Sequence, residues 1–237
     1  MQKTLLVLTL LTARLGYGQH TELSVHLNSG FGSFRGASAT ERSSIVVSSQ
    51  PTTGPAVYTY NPYGSEWAMG YGLTGQVQRV GQRQRLVGVQ AGYEALQSRV
   101  HIRRVFHTMH DGIAATGRTI LTNHFLTVHP FYGYRAQLRS VALDLSAGPE
   151  LAVLLHSREQ GQAVTEQGAS YGTSRQLESM PLDVRARLNL TAGYRRLSVS
   201  LGYSYGLTNY SEAQPGGPGE LYYQFFRIGT AYRIAGK

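Results

Sequence analysis

Between residues 181 and 209 the chain alternates oily and wet positions through two successive runs. Leu182, Val184, Ala186, Leu188, Leu190, Ala192 and Tyr194 fall on every second position, with Asp183, Arg185, Arg187, Asn189, Thr191 and Gly193 between them. After a very short turn, Leu197, Val199, Leu201, Tyr203, Tyr205 and Leu207 alternate with Ser198, Ser200, Gly202, Ser204, Gly206 and Thr208. Side chains of an extended strand point to opposite faces in turn, so each run has one apolar and one polar face. Each run is about 13 residues long, against roughly 5–6 for an ordinary strand. A tilted strand crosses a bilayer in about 9–11 residues. Long strands that are apolar on one face and small or charged on the other are what a transmembrane barrel requires.

The same periodicity predicts eight strands in all, at 22–34, 66–80, 85–98, 121–135, 139–155, 181–195, 197–209 and 221–235. Trp67, Met69, Tyr71, Leu73 and Val77 share a face against Gly70, Gly72 and Thr74, and Val141, Leu143 and Leu145 oppose Ala142, Asp144 and Ser146. The connections alternate strictly. Those near 81–84, 136–138 and 196 are very short, and those at 35–65, 99–120, 156–180 and 210–220 are long. The expected fold is therefore all-β: an eight-stranded antiparallel up-and-down transmembrane β-barrel with long outer loops and short periplasmic turns. Tyr132, Tyr134, Tyr194 and Tyr232 map to the short-turn ends of the oily faces, and Trp67, Tyr71, Tyr203, Tyr205 and Tyr222 to the long-loop ends. Two such aromatic belts mark the two interfaces of a membrane barrel. Arg79, Arg83, Arg85, Arg135, Arg139, Arg195 and Arg196 fall on the short-turn side, where anionic headgroups or solvent would meet them.

Residues 1–18 read as a secretory signal, with Lys3 before the apolar run 5–11 and small residues Gly16 and Gly18 near a cleavage point. Residues 19–237 then form one barrel domain. No later stretch approaches eighteen consecutive apolar residues, so no helical span is expected. A mean hydropathy of −0.22 agrees with a barrel, whose inner face is free to be polar. The chain contains no cysteine, which excludes disulfides, thiolate metal sites and Cys nucleophiles. The formal charge of +9 is nearly all arginine. It comes without a basic helix, zinc spacing or basic-aromatic motif, and nucleic acid is not an expected partner.

Glu94, Asp144, Glu150, Asp183, Arg185, Arg187 and Arg227 all lie on the polar faces. Charges inside a narrow barrel carry a severe desolvation cost unless paired. They are expected to form an ion-pair network that fills the lumen and leaves no wide pore, since eight strands enclose little more than side chains. His101, His107 and His110, with Asp111, sit in one long connection, but the spacing matches no zinc motif and no metal or cofactor is expected. Ser204 and His124 are the available pair for a lipid-modifying hydrolase, without a GxSxG elbow or triad spacing, so no catalytic residue is assigned. A soluble secreted β protein with a binding role is the other alternative; it would bury its oily faces rather than expose them.

Several segments carry a family resemblance: YSYGLTNY at 203–210, GFGSFRG at 30–36, FLTVHPFYGYR at 125–135, LSAGPEL at 145–151 and FRIGTAYRI at 226–234. In this order they resemble the PorT-like outer-membrane β-barrel proteins of Bacteroidetes-type bacteria. The resemblance implies an eight-stranded barrel in the bacterial outer membrane and leaves activity open, because that family is functionally diverse. The expected role is structural or binding: a closed, monomeric anchor presenting outer loops. Its partners would be outer-membrane lipid and lipopolysaccharide, together with an unidentified loop ligand or envelope protein.

Overall fold

In the computed structural model, the residues described are 20–48, 57–107, 112–177, 180–213 and 219–236. The signal segment lies outside them. The described residues form eleven strands: β1 (His20–Arg35), β2 (Arg42–Val47), β3 (Val57–Thr59), β4 (Glu66–Val80), β5 (Arg85–Phe106), β6 (Gly112–Leu138), β7 (Val141–Thr165), β8 (Ser170–Gln176), β9 (Leu182–Tyr194), β10 (Leu197–Gly206) and β11 (Tyr222–Ala235). A short 3-10 turn, Tyr210–Ala213, falls between the last two in the chain.

Eight of these strands pair in sequence, each antiparallel to both neighbours: β1–β4–β5–β6–β7–β9–β10–β11, with β11 returning to β1. They overlap the eight expected from the periodicity, with β5, β6 and β7 running well past the expected bounds. The two-residue connections at 139–140 and 195–196 are led by Arg139 and Arg195, both at φ 54°. Tight hairpin turns take this left-handed backbone because its twist matches that of the flanking strands.

The oily faces point outward. Leu27, Met69 and Leu197 keep 63%, 60% and 66% of their surface exposed, and no second layer of the described chain covers them. The opposite faces carry the buried charges, together with glycines that make room for large neighbours. A Cβ on Gly32 would lie 1.8 Å from the Tyr223 hydroxyl, and one on Gly72 would lie 2.7 Å from Cγ of Glu94.

The connections at 35–65, 99–120 and 156–180 are not the open loops their composition suggests. β5, β6 and β7 run on to Phe106, back to Gly112 and out to Thr165. β2 joins β5 in parallel, β3 joins β2, and β8 joins β7. The reason this was hidden is a reversal of polarity. Beyond about residues 98 and 122, the inward positions become apolar (Ile45, Ile102, Val105, Ala115 and Ala163 form a buried cluster) and the outward ones polar. Thr59 bonds Glu159 through its backbone N–H at 2.8 Å, and Arg175 holds Glu159 at 2.6 Å, bringing β3 across to β8. An ordered β extension therefore stands on one side of the ring only.

Candidate functional site

The interior is layered. At the short-turn end, Arg135 donates to Asp144 at 2.6 and 2.7 Å and to Glu22 at 3.0 and 2.8 Å. Arg233 adds a second cation to Glu22 at 3.0 Å, and the Gln78 amide donates to Glu22 at 2.6 Å. Two carboxylates thus face two guanidinium groups, and the layer is formally neutral. A polar cavity of about 50 Å³ opens beside it, lined by Ser24, His26, Gln90 and Asn189 among others. That is space for a few water molecules.

The middle layer holds six of the seven charges expected in the lumen. Glu150 on β7 is the hub: Arg185 and Arg187 on β9 donate to it at 3.0 Å each, and Arg227 on β11 lies 2.9 Å away. Arg227 also takes both oxygens of Glu94, and Arg185 bonds Asp183 at 2.7 Å. Ser204 bonds Arg227 and lies 3.4 Å from both oxygens of Glu150. Glu94, Glu150 and Asp183 balance Arg185, Arg187 and Arg227, all of them buried. Fully buried ions gain from each other only when geometry is good and the remaining donors and acceptors are used. Here most are.

Asp144 is the one member of the expected network that stands apart, in the layer below with Arg135. Arg135 belongs by sequence position with the arginines of the rim. It points inward instead and is buried, because it shares parity with the inward Phe131 and Gly133. Glu22 and Arg233 complete this layer, and the one signal each carries in the sequence is its place on the polar side of its strand.

Above the charges lies an aromatic layer of Phe34, Tyr63, Phe125, Tyr210, Tyr223 and Phe225. Phe34 meets Tyr63, Tyr210 and Tyr223 edge-on at 5.1, 5.3 and 4.9 Å. The Arg185 and Arg227 guanidinium groups lie 4.8 Å from Phe125 and 4.7 Å from Phe225, so cation–π contacts join this layer to the one beneath. Tyr210, beyond the end of β10, donates to Asp183 at 2.7 Å; burial, then the neighbouring carboxylate, holds its phenol well above the ordinary range.

On the outside, Trp67, Tyr71, Tyr132, Tyr134, Tyr194, Tyr203, Tyr205 and Tyr232 are exposed, and Tyr222 is half-buried. Phe31, Phe226 and Tyr203 sit directly opposite one another on β1, β11 and β10. Arg35 lies over the Tyr205 and Tyr222 rings at 3.7 and 4.7 Å.

The other candidates are dispersed. Ser204 is inside, against Glu150, whereas His124 is outside, bonded to the Tyr93 hydroxyl. Opposite faces of the sheet separate this serine from this histidine. His101 pairs with Glu66 at 2.7 Å and His107 with the Tyr171 hydroxyl at 2.8 Å. His110 and Asp111 lie outside the described residues, and among those described no metal-binding cluster occurs.

Long antiparallel strands, oily outside and salt-bridged inside, place the chain in the class of β-barrel proteins. The model of the outer membrane protein beta-barrel domain family matches residues 17–212, and the chain belongs to that family. Among solved structures, Ail, the attachment invasion locus protein of Yersinia pestis, is similar at 10% identity, covering 91% of this chain and 99% of that one, with a TM-score of 0.34. Neisserial surface protein A is similar at 8% identity, covering 90% and 97%, with a TM-score of 0.35. The translocator domain of the autotransporter NalP from Neisseria meningitidis is similar at 11% identity, covering 98% and 95%, with a TM-score of 0.31. No curated protein matches the chain.

Proposed function

We propose that the chain is a monomeric, eight-stranded transmembrane barrel of the outer membrane with a closed lumen. It acts as an anchor that holds its β extension above the outer leaflet, and it performs no catalysis. The observation that carries this reading is the inversion of the sheet: apolar residues cover its outside while neutral sets of paired charges and an aromatic layer fill its inside. Lipid is the solvent that such an outside requires. The short turns and both strand termini then face the periplasm, and the tyrosine and tryptophan residues sit at the two interfaces. The PorT-like segments support placing the protein among Bacteroidetes-type envelope barrels, exported by the signal at residues 1–18.

Three measurements test the proposal. Detergent should be needed to extract the protein from washed membranes. The folded form should migrate faster than the boiled form on a gel. Purified protein in planar bilayers should show no stable conductance, whereas Arg185→Gln with Arg187→Gln should either unfold it or open a current. Release by salt alone, or a steady channel in the unaltered chain, would overturn the reading.

A further inference from the structure

The outer wall of the extension carries a ladder of basic residues, arginines among them, that the anchor reading leaves unused. His124 and His156 face each other on β6 and β7 where the apolar band ends, with ring centroids 5.8 Å apart. Two positions further out, Arg158 stands opposite Thr122. Four positions beyond that, Arg118 lies between His101 on β5 and Gln162 on β7, and His101 is in turn flanked by Arg42 on β2. Glu66 answers Arg99 and His101. Among the described residues, no carboxylate lies within salt-bridge distance of Arg118 or Arg158.

Beside Arg118 runs a shallow groove of about 490 Å³, lined by Arg118, Ile120, Gln160, Gln162, Thr173 and Ser174 among others, and Arg158 reaches it through Ser174. Its lining offers amides and hydroxyls, the groups that hold sugar hydroxyls. Arg158 uses one nitrogen on Ser174 at 3.1 Å and keeps its other donors for a ligand.

Height selects the ligand. Strands rise about 3.4 Å per residue and barrel strands tilt by about 35–45°, so Arg118, six residues beyond His124 on β6, stands roughly 15 Å higher. The headgroup zone of a phospholipid leaflet is only about 5–8 Å deep. A phospholipid would reach the level of Arg158 and leave Arg118 bare. A glycolipid with phosphates near the acyl chains and anionic sugars above would meet both.

We propose that the outward face of β6, β7 and β8 binds the phosphorylated sugar headgroup of an outer-leaflet glycolipid. Arg158 takes a phosphate at the membrane surface, Arg118 takes an anionic group of the sugar core above it, and Gln160, Gln162 and Ser174 hold sugar hydroxyls. This rests on the outer-membrane reading.

The test uses the folded full chain in detergent micelles and three probes: lipopolysaccharide with its phosphorylated inner core, lipid A without that core, and phosphatidylglycerol. Arg158→Gln should weaken binding of both glycolipids about ten-fold, the effect of one lost charge-assisted contact. Arg118→Gln should weaken core-bearing lipopolysaccharide about ten-fold and leave lipid A unchanged. Both residues are on the surface, so the heat-shifted gel band should persist, and its loss in the unaltered chain would mark failure of the barrel reading instead. The site proposal is overturned by equal affinity for phosphatidylglycerol or by unchanged binding in the double variant.

Discussion

Arg227 on β11 grips both carboxylate oxygens of Glu94 on β5, at 2.8 and 2.7 Å, across the interior of the ring. The two strands are not neighbours; β1 and β4 lie between them. The pair therefore works as an internal strut, and Arg227 extends it to Glu150 on β7. Arg227→Met should strand Glu94 without its cation and destabilise the fold by about 3–5 kcal/mol, the usual cost of breaking a buried pair from one side. Adding Glu94→Gln should recover part of that loss. Urea unfolding of the refolded barrel measures both; a double variant as weak as the sum of the singles would rule the strut out.

A second dependence is steric. The Tyr223 hydroxyl occupies the place of a side chain at Gly32 and donates to the Gln97 carbonyl at 2.8 Å. Gly32→Ala should push the phenol out of the aromatic layer and cost about 1–3 kcal/mol, the range for overpacking a tight core. Tyr223→Leu in the same chain should relieve the clash and restore part of the loss. An unchanged unfolding midpoint for Gly32→Ala would show that the layer yields at no cost.

Most of the ring was legible in the sequence because one physical rule governs all its strands: every second residue meets lipid-like surroundings or an interior of fixed small volume. Leu182 to Tyr194 is read to within one residue at each end, and the next strand starts at Leu197 as expected but ends at Gly206, three residues short. The extension was not legible, because past Val100 and Leu121 the oily side changes face while the alternation continues. Short, weakly apolar segments such as 42–47 and 170–176 carry no strand signal apart from the neighbours they pair with. Within the interior, residue type and parity locate the charges on the polar face. They do not say which carboxylate meets which arginine. That is set by strand order and stagger, which is why Asp144 falls to Arg135 and the short-turn layer rather than to Glu150's cluster.

Three turns hold a non-glycine residue in the left-handed region, Gln84 at φ 60° and the two arginines that follow, and a substitution there would remove strain. Arg139 and Arg195 each lead a two-residue connection at φ 54°. A non-glycine residue pays about 1–2 kcal/mol in the left-handed region, partly offset by the greater unfolded-state entropy of glycine. Arg195→Gly should stabilise the folded chain by about 0.5–1 kcal/mol. Arg195→Ala, which removes the same charge but keeps the strain, should not. If both variants shift the urea midpoint alike, charge rather than backbone geometry sets the stability of this turn.

Tyr210 gives the fold a dependence on high pH. Its phenol is held well above the ordinary range, first by burial and then by the Asp183 carboxylate that accepts its hydrogen bond. An unfolded tyrosine ionises near pH 10, where folded Tyr210 keeps its proton. Above that point the folded state binds more protons than the unfolded one, so stability falls as pH rises. Below about pH 9 both states hold the proton and the residue adds no slope. Tyr210→Phe should lower stability by about 1–3 kcal/mol at neutral pH, since it leaves a buried acceptor short of one donor. The same variant should lose stability less steeply than the unaltered chain between pH 9.5 and about 11. Unfolding midpoints for both chains across that interval decide the matter: parallel declines would mean that ionisation elsewhere, and not at Tyr210, opens the barrel in alkali.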